Sequence, residues 1–173
     1  MDMVCPTSRP ASQEAFRQAM RGIAGTAHLV TTSDAQGAWY GMAATAVTSV
    51  SMDPPSLLVC VNREASTRSP IDARGAFCVN VLAADHRDHC SRFGRPADRN
   101  SRFSHGEWRE QNGLPYLADA QAAIFCDVAQ RVSHGTHIVF IGNVRDIVLP
   151  RETANPLIYL DRGYVSLGAA LQA

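Results

Sequence analysis

Gly41-Met-Ala-Ala-Thr-Ala-Val-Thr-Ser-Val-Ser-Met-Asp-Pro-Pro55, closing into Ser56-Leu-Leu-Val-Cys-Val-Asn62, is the stretch on which the reading of this chain turns. Small residues alternate with hydroxyls. A Pro-Pro turn then leads into an apolar strand. Such a segment offers backbone N–H groups and hydroxyls to a ligand without bulky side chains in the way, and it carries almost no charge. That chemistry suits a neutral, planar cofactor with a phosphate tail better than a metal or a nucleic-acid backbone.

On either side of it the chain reads as short strands. His28 to Ser33 and Ala38 to Met42 flank Asp34-Ala-Gln-Gly37, a hairpin with a Gly-containing loop. Leu57 to Val61 and Ala76 to Leu82 are apolar strands, separated by a polar turn region from Ser66 to Arg74. Residues 122–132, 137–148 and 157–160 also favour strands. Two segments read as helices. One runs from Ser12 as N-cap to Gly22, with Phe16, Ala19, Met20 and Ile23 on one face; the other is short, from Asp85 to Phe93. Phe93 to Gln111 has no periodicity, and a loop of that length is usually functional or mobile. Many short strands without strand–helix alternation point to an antiparallel barrel. Nothing divides the chain, so residues 1–173 are expected to form one domain, with residues 1–11 a mobile N-terminal tail.

Composition removes whole classes of function. The 173 residues carry no formal net charge and 46% apolar side chains, which argues against an electrostatic nucleic-acid or membrane partner. No run approaches the roughly 18 apolar residues of a membrane span, and no basic-then-apolar leader opens the chain; a cytoplasmic location is expected. All sixteen basic residues are arginine. Without lysine there is neither a Schiff base nor a Walker-type phosphate loop. Five cysteines with no C-x-x-C pair do not make a disulfide framework, and Cys60, Cys78 and Cys126 sit in apolar runs as small hydrophobes.

The remaining candidates are weighed in turn. Asp85-His-Arg-Asp-His-Cys90 could turn His86, His89 and Cys90 to one side of a helix, but no matching second pair exists, and a solvated helix face is the reading taken; no metal is expected. Ser51, Asp127 and His137 could be assembled into a triad, but there is no G-x-S-x-G elbow. There is no G-x-G-x-x-G either, so a dinucleotide must bind outside a Rossmann site. In Ser133-His-Gly-Thr-His137, His134 is taken as a structural histidine, while His137 opens a strand and points to whatever the sheet end holds.

With those residues in view, the chain resembles the small flavin reductases that serve two-component flavin-dependent monooxygenases, of the 4-hydroxyphenylacetate 3-monooxygenase type. The similarity runs from Phe16 to Leu167. It rests on Phe16-Arg17 with Ala19-Met20, Thr31-Thr32, Gly41 through Asn62, Cys78 to Leu82, Phe93-Gly94 with Arg102-Phe103, Gly135-Thr-His137, and Leu157 to Arg162 with Tyr164.

What the resemblance implies is a split β-barrel homodimer with FMN or FAD near the subunit interface. NADH or NADPH delivers hydride, and the reduced flavin passes to a partner monooxygenase. Ala44, Thr45 and Ala46 would line the isoalloxazine. Ser49, Val50 and Ser51 would meet its polar edge or the ribityl chain, and Cys60, Val61 and Asn62 would continue the wall. Ser66 and Thr67 would hold phosphate. Phe93 and Gly94 would belong to a flavin-covering loop, with Arg95 reaching phosphate. His137 would stand beside the nicotinamide as the catalytic residue, with Arg162 and Tyr164 near it. Ala43 and Val165 depart from the family, where Thr and His are frequent at those positions. Two alternatives remain open at this point: a reductase that keeps its flavin and serves another acceptor such as a corrin cobalt, and a flavin- or haem-binding protein without turnover.

Overall fold

The computed structural model describes residues 11–165 and 167; the expected N-terminal tail lies outside them apart from Ala11. In chain order the elements are α1 (Gln13–Arg21), β1 (Gly25–Thr26), β2 (His28–Ser33), β3 (Trp39–Ala44), β4 (Val47–Met52), β5 (Pro55–Asn62), α2 (Arg68–Arg74) and β6 (Ala76–Val81). Then come α3 (Arg87–Gly94), β7 (Trp108–Gln111), β8 (Leu114–Leu117), β9 (Ala122–His134), β10 (His137–Val148), β11 (Ile158–Leu160) and β12 (Gly163–Val165).

Seven antiparallel strands form the main sheet in the order β3-β2-β6-β9-β10-β5-β4. Its two outermost strands, β3 and β4, are consecutive in sequence and separated only by Thr45 and Ala46. A sheet whose opposite edges are joined by two residues has to curl until those edges meet at that corner. No ladder joins β3 to β4 in the strand order, so the barrel is split there, as expected.

The alternation of strand side chains explains the filling. Every residue of β2 is buried, because Val30 points into the barrel while Leu29 points outward beneath α3 and β8. The barrel interior is packed by Val59, Val61, Phe77, Val79, Cys126 and Phe140, all fully buried. Cysteine serves as a hydrophobe here, and burial pushes the Cys126 thiol up to about 12. Gly142 on β10 lies against this cluster so closely that a Cβ would sit 2.7 Å from Cys126 Cβ and 2.8 Å from Phe77 Cζ. Gly142→Ala is therefore expected to cost about 2 kcal/mol by overpacking, read as a lower denaturant midpoint.

Three expectations are corrected. The polar stretch from Ser66 to Arg74 contains a helix, α2, with Pro70 in its first turn and Ile71 fully buried against the barrel core. Burial of that one side chain overrides a sequence that reads as turn. The aperiodic segment after Phe93 holds a 3-10 turn over Pro96–Ser101 and the strand β7, which pairs with β8. The Asp85–Cys90 segment is not a solvated face. His86 and Cys90 are 4% and 6% exposed, and His86 Nδ1 accepts the Ala83 N–H at 3.2 Å, while its Nε2 lies 3.3 Å from Asp119.

Candidate functional site

The corner that splits the barrel is where the quoted stretch lies. Successive residues of β3 and the corner border successive cavities. Gly41 borders one of about 360 Å³ and Met42 one of about 270 Å³. Ala43, Ala44 and Thr45 border one of about 410 Å³, and Thr45 and Ala46 one of about 650 Å³. At about 3.3 Å per residue the run is a shelf long enough for a flat, extended ligand, and its small side chains keep it clear.

At one end of the shelf the sequence-predicted Ser66 and Thr67 share a cavity with Arg99 and Arg102. Thr67 is fully buried and its Oγ1 has no hydrogen-bond partner among the described residues. A buried hydroxyl left unpaired is costly, and beside two guanidinium groups it suits a phosphate oxygen. Arg102 is held rigidly: it is 8% exposed, its Nη1 donates to the Gly41 carbonyl at 2.7 Å and its Nη2 to the Arg95 carbonyl at 3.1 Å. Arg99 was not among the sequence candidates, and Arg102 entered only as part of a motif. Neither lies in a periodic element that marks its direction.

Towards the corner, Ala44, Thr45, Gly94, Arg95, Arg162 and Tyr164 line one cavity, which separates Arg95 from the cavity of Ser66 and Thr67. Arg95 follows α3, and Arg162 and Tyr164 come from the β11–β12 hairpin. The Tyr164 ring stacks edge-on to Tyr159 at 5.5 Å between centroids, and the Arg87 guanidinium lies 5.8 Å over it. Burial, and then the Cys90 thiol, push the Tyr164 phenol up, so it stays neutral near pH 7.

Beyond the corner the backbone links the remaining candidates. The Cys60 N–H donates to the Ala46 carbonyl at 3.1 Å, and two residues further along β5 Asn62 faces His137 in the ladder with β10. The Arg63 N–H donates to the Thr136 carbonyl at 2.9 Å, tying the loop that carries Ser66 to the turn that carries His137. His137 is exposed, with Nδ1 2.9 Å from Thr136 Oγ1. His134, expected to be structural, is exposed as well.

Some candidates lie elsewhere. Val61 is fully buried in the barrel and Phe93 is 2% exposed; neither forms a ligand wall within the chain. Phe93 lies on α3 rather than in a loop, its ring against Gly41, where a Cβ would meet it at 2.5 Å. Ser49, Val50 and Ser51 run away from the corner along β4 and line none of these cavities. The Ser51 hydroxyl donates to the Asp53 carbonyl at 2.9 Å and accepts the Asp53 N–H at 3.1 Å, so it closes the turn before Pro54. Hydroxyls spaced along a strand look alike in sequence whether they serve a ligand or a turn.

A flat ring on the shelf with its phosphate at Thr67 fits a flavin nucleotide, and nothing along the shelf is arranged as an acid–base pair for hydrolysis. The FMN reductase (NADH) RutF of Pseudomonas syringae pv. syringae is 42% identical over 154 residues, covering 88% of this chain and 85% of that protein. The reductase component of the FADH2-dependent resorcinol hydroxylase of Rhizobium sp. is 40% identical over 159 residues, covering 90% and 87%. The structure of flavin reductase PheA2 in its native state superposes with a TM-score of 0.82 at 32% identity, covering 91% of this chain and 99% of that one. The flavin reductase like domain model matches residues 20–168, and the chain belongs to that family.

Proposed function

We propose that the protein is an NADH-dependent flavin reductase that supplies reduced flavin to a partner monooxygenase. The observation that carries this is the shelf itself. It runs from a buried threonine, unpartnered among the described residues and sharing a cavity with two arginines, to a corner lined by methyl groups and backbone.

Bound together, the nicotinamide donates hydride to flavin N5, and the two rings supply the chemistry. The chain's residues position and shield. Ala43, Ala44 and Ala46 let the ring approach the backbone. Thr67, Ser66, Arg99 and Arg102 hold the phosphate, and the backbone N–H groups of the shelf oppose charge on the reduced ring. His137, at the end of β10 beside Asn62, orients the nicotinamide, and Arg162 with Tyr164 closes the other side.

The chain acts as a single domain that dimerises in the cytoplasm. Edge strand β4 supports dimerisation with Val50 and Met52, 48% and 85% exposed, an apolar surface for a second copy to cover.

The test is NADH oxidation at 340 nm by purified protein with catalytic FMN, FAD or riboflavin. Turnover that requires added flavin is expected; none with any flavin would overturn the reading. His137→Ala is expected to lower kcat/KM for NADH about tenfold while KM for flavin stays within twofold. Unchanged nicotinamide kinetics would remove His137 from the site.

A further inference from the structure

Two walls of the flavin cavity hang on one bend of the chain. One wall is α3, which contributes Cys90, Ser91 and Gly94; the other is the β11–β12 hairpin, with Tyr159, Arg162 and Tyr164. The chain enters α3 through Leu82 and Ala83 and a 3-10 turn over Ala84–His86, and it enters β11 through Asn155 to Leu157. These two approaches are bonded to each other. The Leu157 N–H donates to the Leu82 carbonyl at 2.8 Å, and the Ala84 N–H donates to the Asn155 carbonyl at 2.9 Å. Ala83, between those two bonds, is fully buried.

His86 closes this bend from inside the turn. The residue is 4% exposed, and its Nδ1 accepts the Ala83 N–H at 3.2 Å. That is one half of a capping box, in which the third residue of a helical turn reaches back to the N–H of the residue before its start; glutamine or glutamate usually does this. With Nδ1 accepting, the neutral ring carries its hydrogen on Nε2, which lies 3.3 Å from an Asp119 carboxylate oxygen. Arg151 joins the same group: its Nη2 donates to Asp85 at 3.0 Å and its Nε to the Asp119 carbonyl at 2.7 Å. Gln121 holds the chain that follows, donating to the Thr153 carbonyl at 3.1 Å and accepting the Asn155 N–H at 2.9 Å. One imidazole thus stands where the root of α3, the loop before β9 and the approach to β11 meet.

We infer that His86 is a positioning residue of the flavin cavity, setting the separation between α3 and the β11–β12 hairpin, an inference that rests on the reductase reading. The side chain stands behind the cavity rather than on it. Without Nδ1 the buried Ala83 N–H loses its acceptor, a costly state that the chain relieves by moving. Movement at this bend reaches both walls at once, and a misplacement of about 1 Å is enough to spoil a reacting geometry. Ser66 and Thr67, which precede α2, lie outside the bend. The defect therefore falls on the ring system, which riboflavin and FMN share, and not on the phosphate.

Steady-state kinetics with FMN and with riboflavin, beside urea denaturation, test the assignment. His86→Leu keeps the bulk and removes the acceptor; it is expected to raise KM for both flavins by the same factor, about fivefold. His86→Gln restores an acceptor at the third residue of the turn and is expected to stay within twofold of the wild type for both. A His86→Leu protein that unfolds at lower urea but keeps both KM values within twofold would be a purely structural variant, and the inference would be wrong. A rise for FMN alone, or a Gln variant no better than Leu, would overturn it as well. Should His86→Leu fail to fold, Asp119→Ala decides, since it removes an exposed carboxylate from the far side of the same ring. That variant is expected to raise both KM values about threefold, and unchanged values overturn the inference. If the wild type oxidises no NADH with any flavin, the reductase reading fails first. Quenching of riboflavin fluorescence by wild type and by the substituted protein then still decides the role of the bend, because equal or absent quenching overturns it.

Discussion

Arg102→Met is expected to destabilise the protein by about 3 kcal/mol and to raise KM for FMN more than tenfold. The stability loss follows from the two carbonyls that Arg102 satisfies, those of Gly41 on β3 and Arg95 after α3. Hydrogen bonds from a charged donor are among the stronger ones. Methionine keeps most of the stem, which is 8% exposed, but removes both bonds, and only the Arg95 carbonyl keeps a further donor, the Asp98 N–H at 3.3 Å. The kinetic loss has a separate cause. Arg102 Nε has no partner among the described residues, and the residue lines the cavity that holds the Thr67 hydroxyl. Riboflavin, which lacks the phosphate, separates the two effects: its KM should rise far less than that of FMN. Equal rises for both would mean that Arg102 acts only through the fold. Urea denaturation reads the first effect and initial rates with the two flavins the second.

The second large effect is on acid stability. An unfolded chain takes up a proton on His28 near pH 6.5, while in the folded protein burial holds the imidazole down to about 4. Between those values protonation favours the unfolded state, so stability present above pH 6.5 is lost as pH falls towards 4, by about 3 kcal/mol for this residue. His28→Leu removes the group and should flatten the acid limb of a plot of unfolding free energy against pH. A variant whose stability falls between pH 6.5 and 4 as steeply as the wild type would show that His28 is not responsible.

How much of this was legible in the sequence follows from the range of the interactions involved. Ser12 caps α1 through a bond to the Ala15 N–H, three residues away, and the Asp34–Gly37 hairpin is closed by bonds within five residues; both could be read directly. The ordering of small residues from Gly41 to Ala46 marked the shelf, because a backbone that must be approached closely leaves a compositional trace. Helix α2 left none, since it exists for the sake of Ile71 and the barrel that receives it. Arg102 and His28 were equally hidden. The first earns its place from a carbonyl 61 residues away, and the second sits in a strand where every side chain is buried and a histidine reads as one more core position. Ser51 shows the opposite ambiguity, because a hydroxyl engaged with its own turn looks the same in sequence as one awaiting a ligand.

Helix α1 buries none of its side chains, although it has a capped N-terminus and an ion pair between Glu14 and Arg17. An element with so little buried surface sits at the low end of the local stability scale, where opening costs a small fraction of global unfolding. The sheet behind the shelf sits at the other end, with β2, the ladder partner of β3, and β6 beyond it almost wholly enclosed. The molecule therefore divides into a rigid bed and a yielding wall. Local opening is expected to begin at the nine residues of this helix, while the surface against which a reactive ring must be aligned stays fixed. Turnover of a substrate that must be released each cycle is compatible with tight alignment because the two demands fall on different parts of the chain.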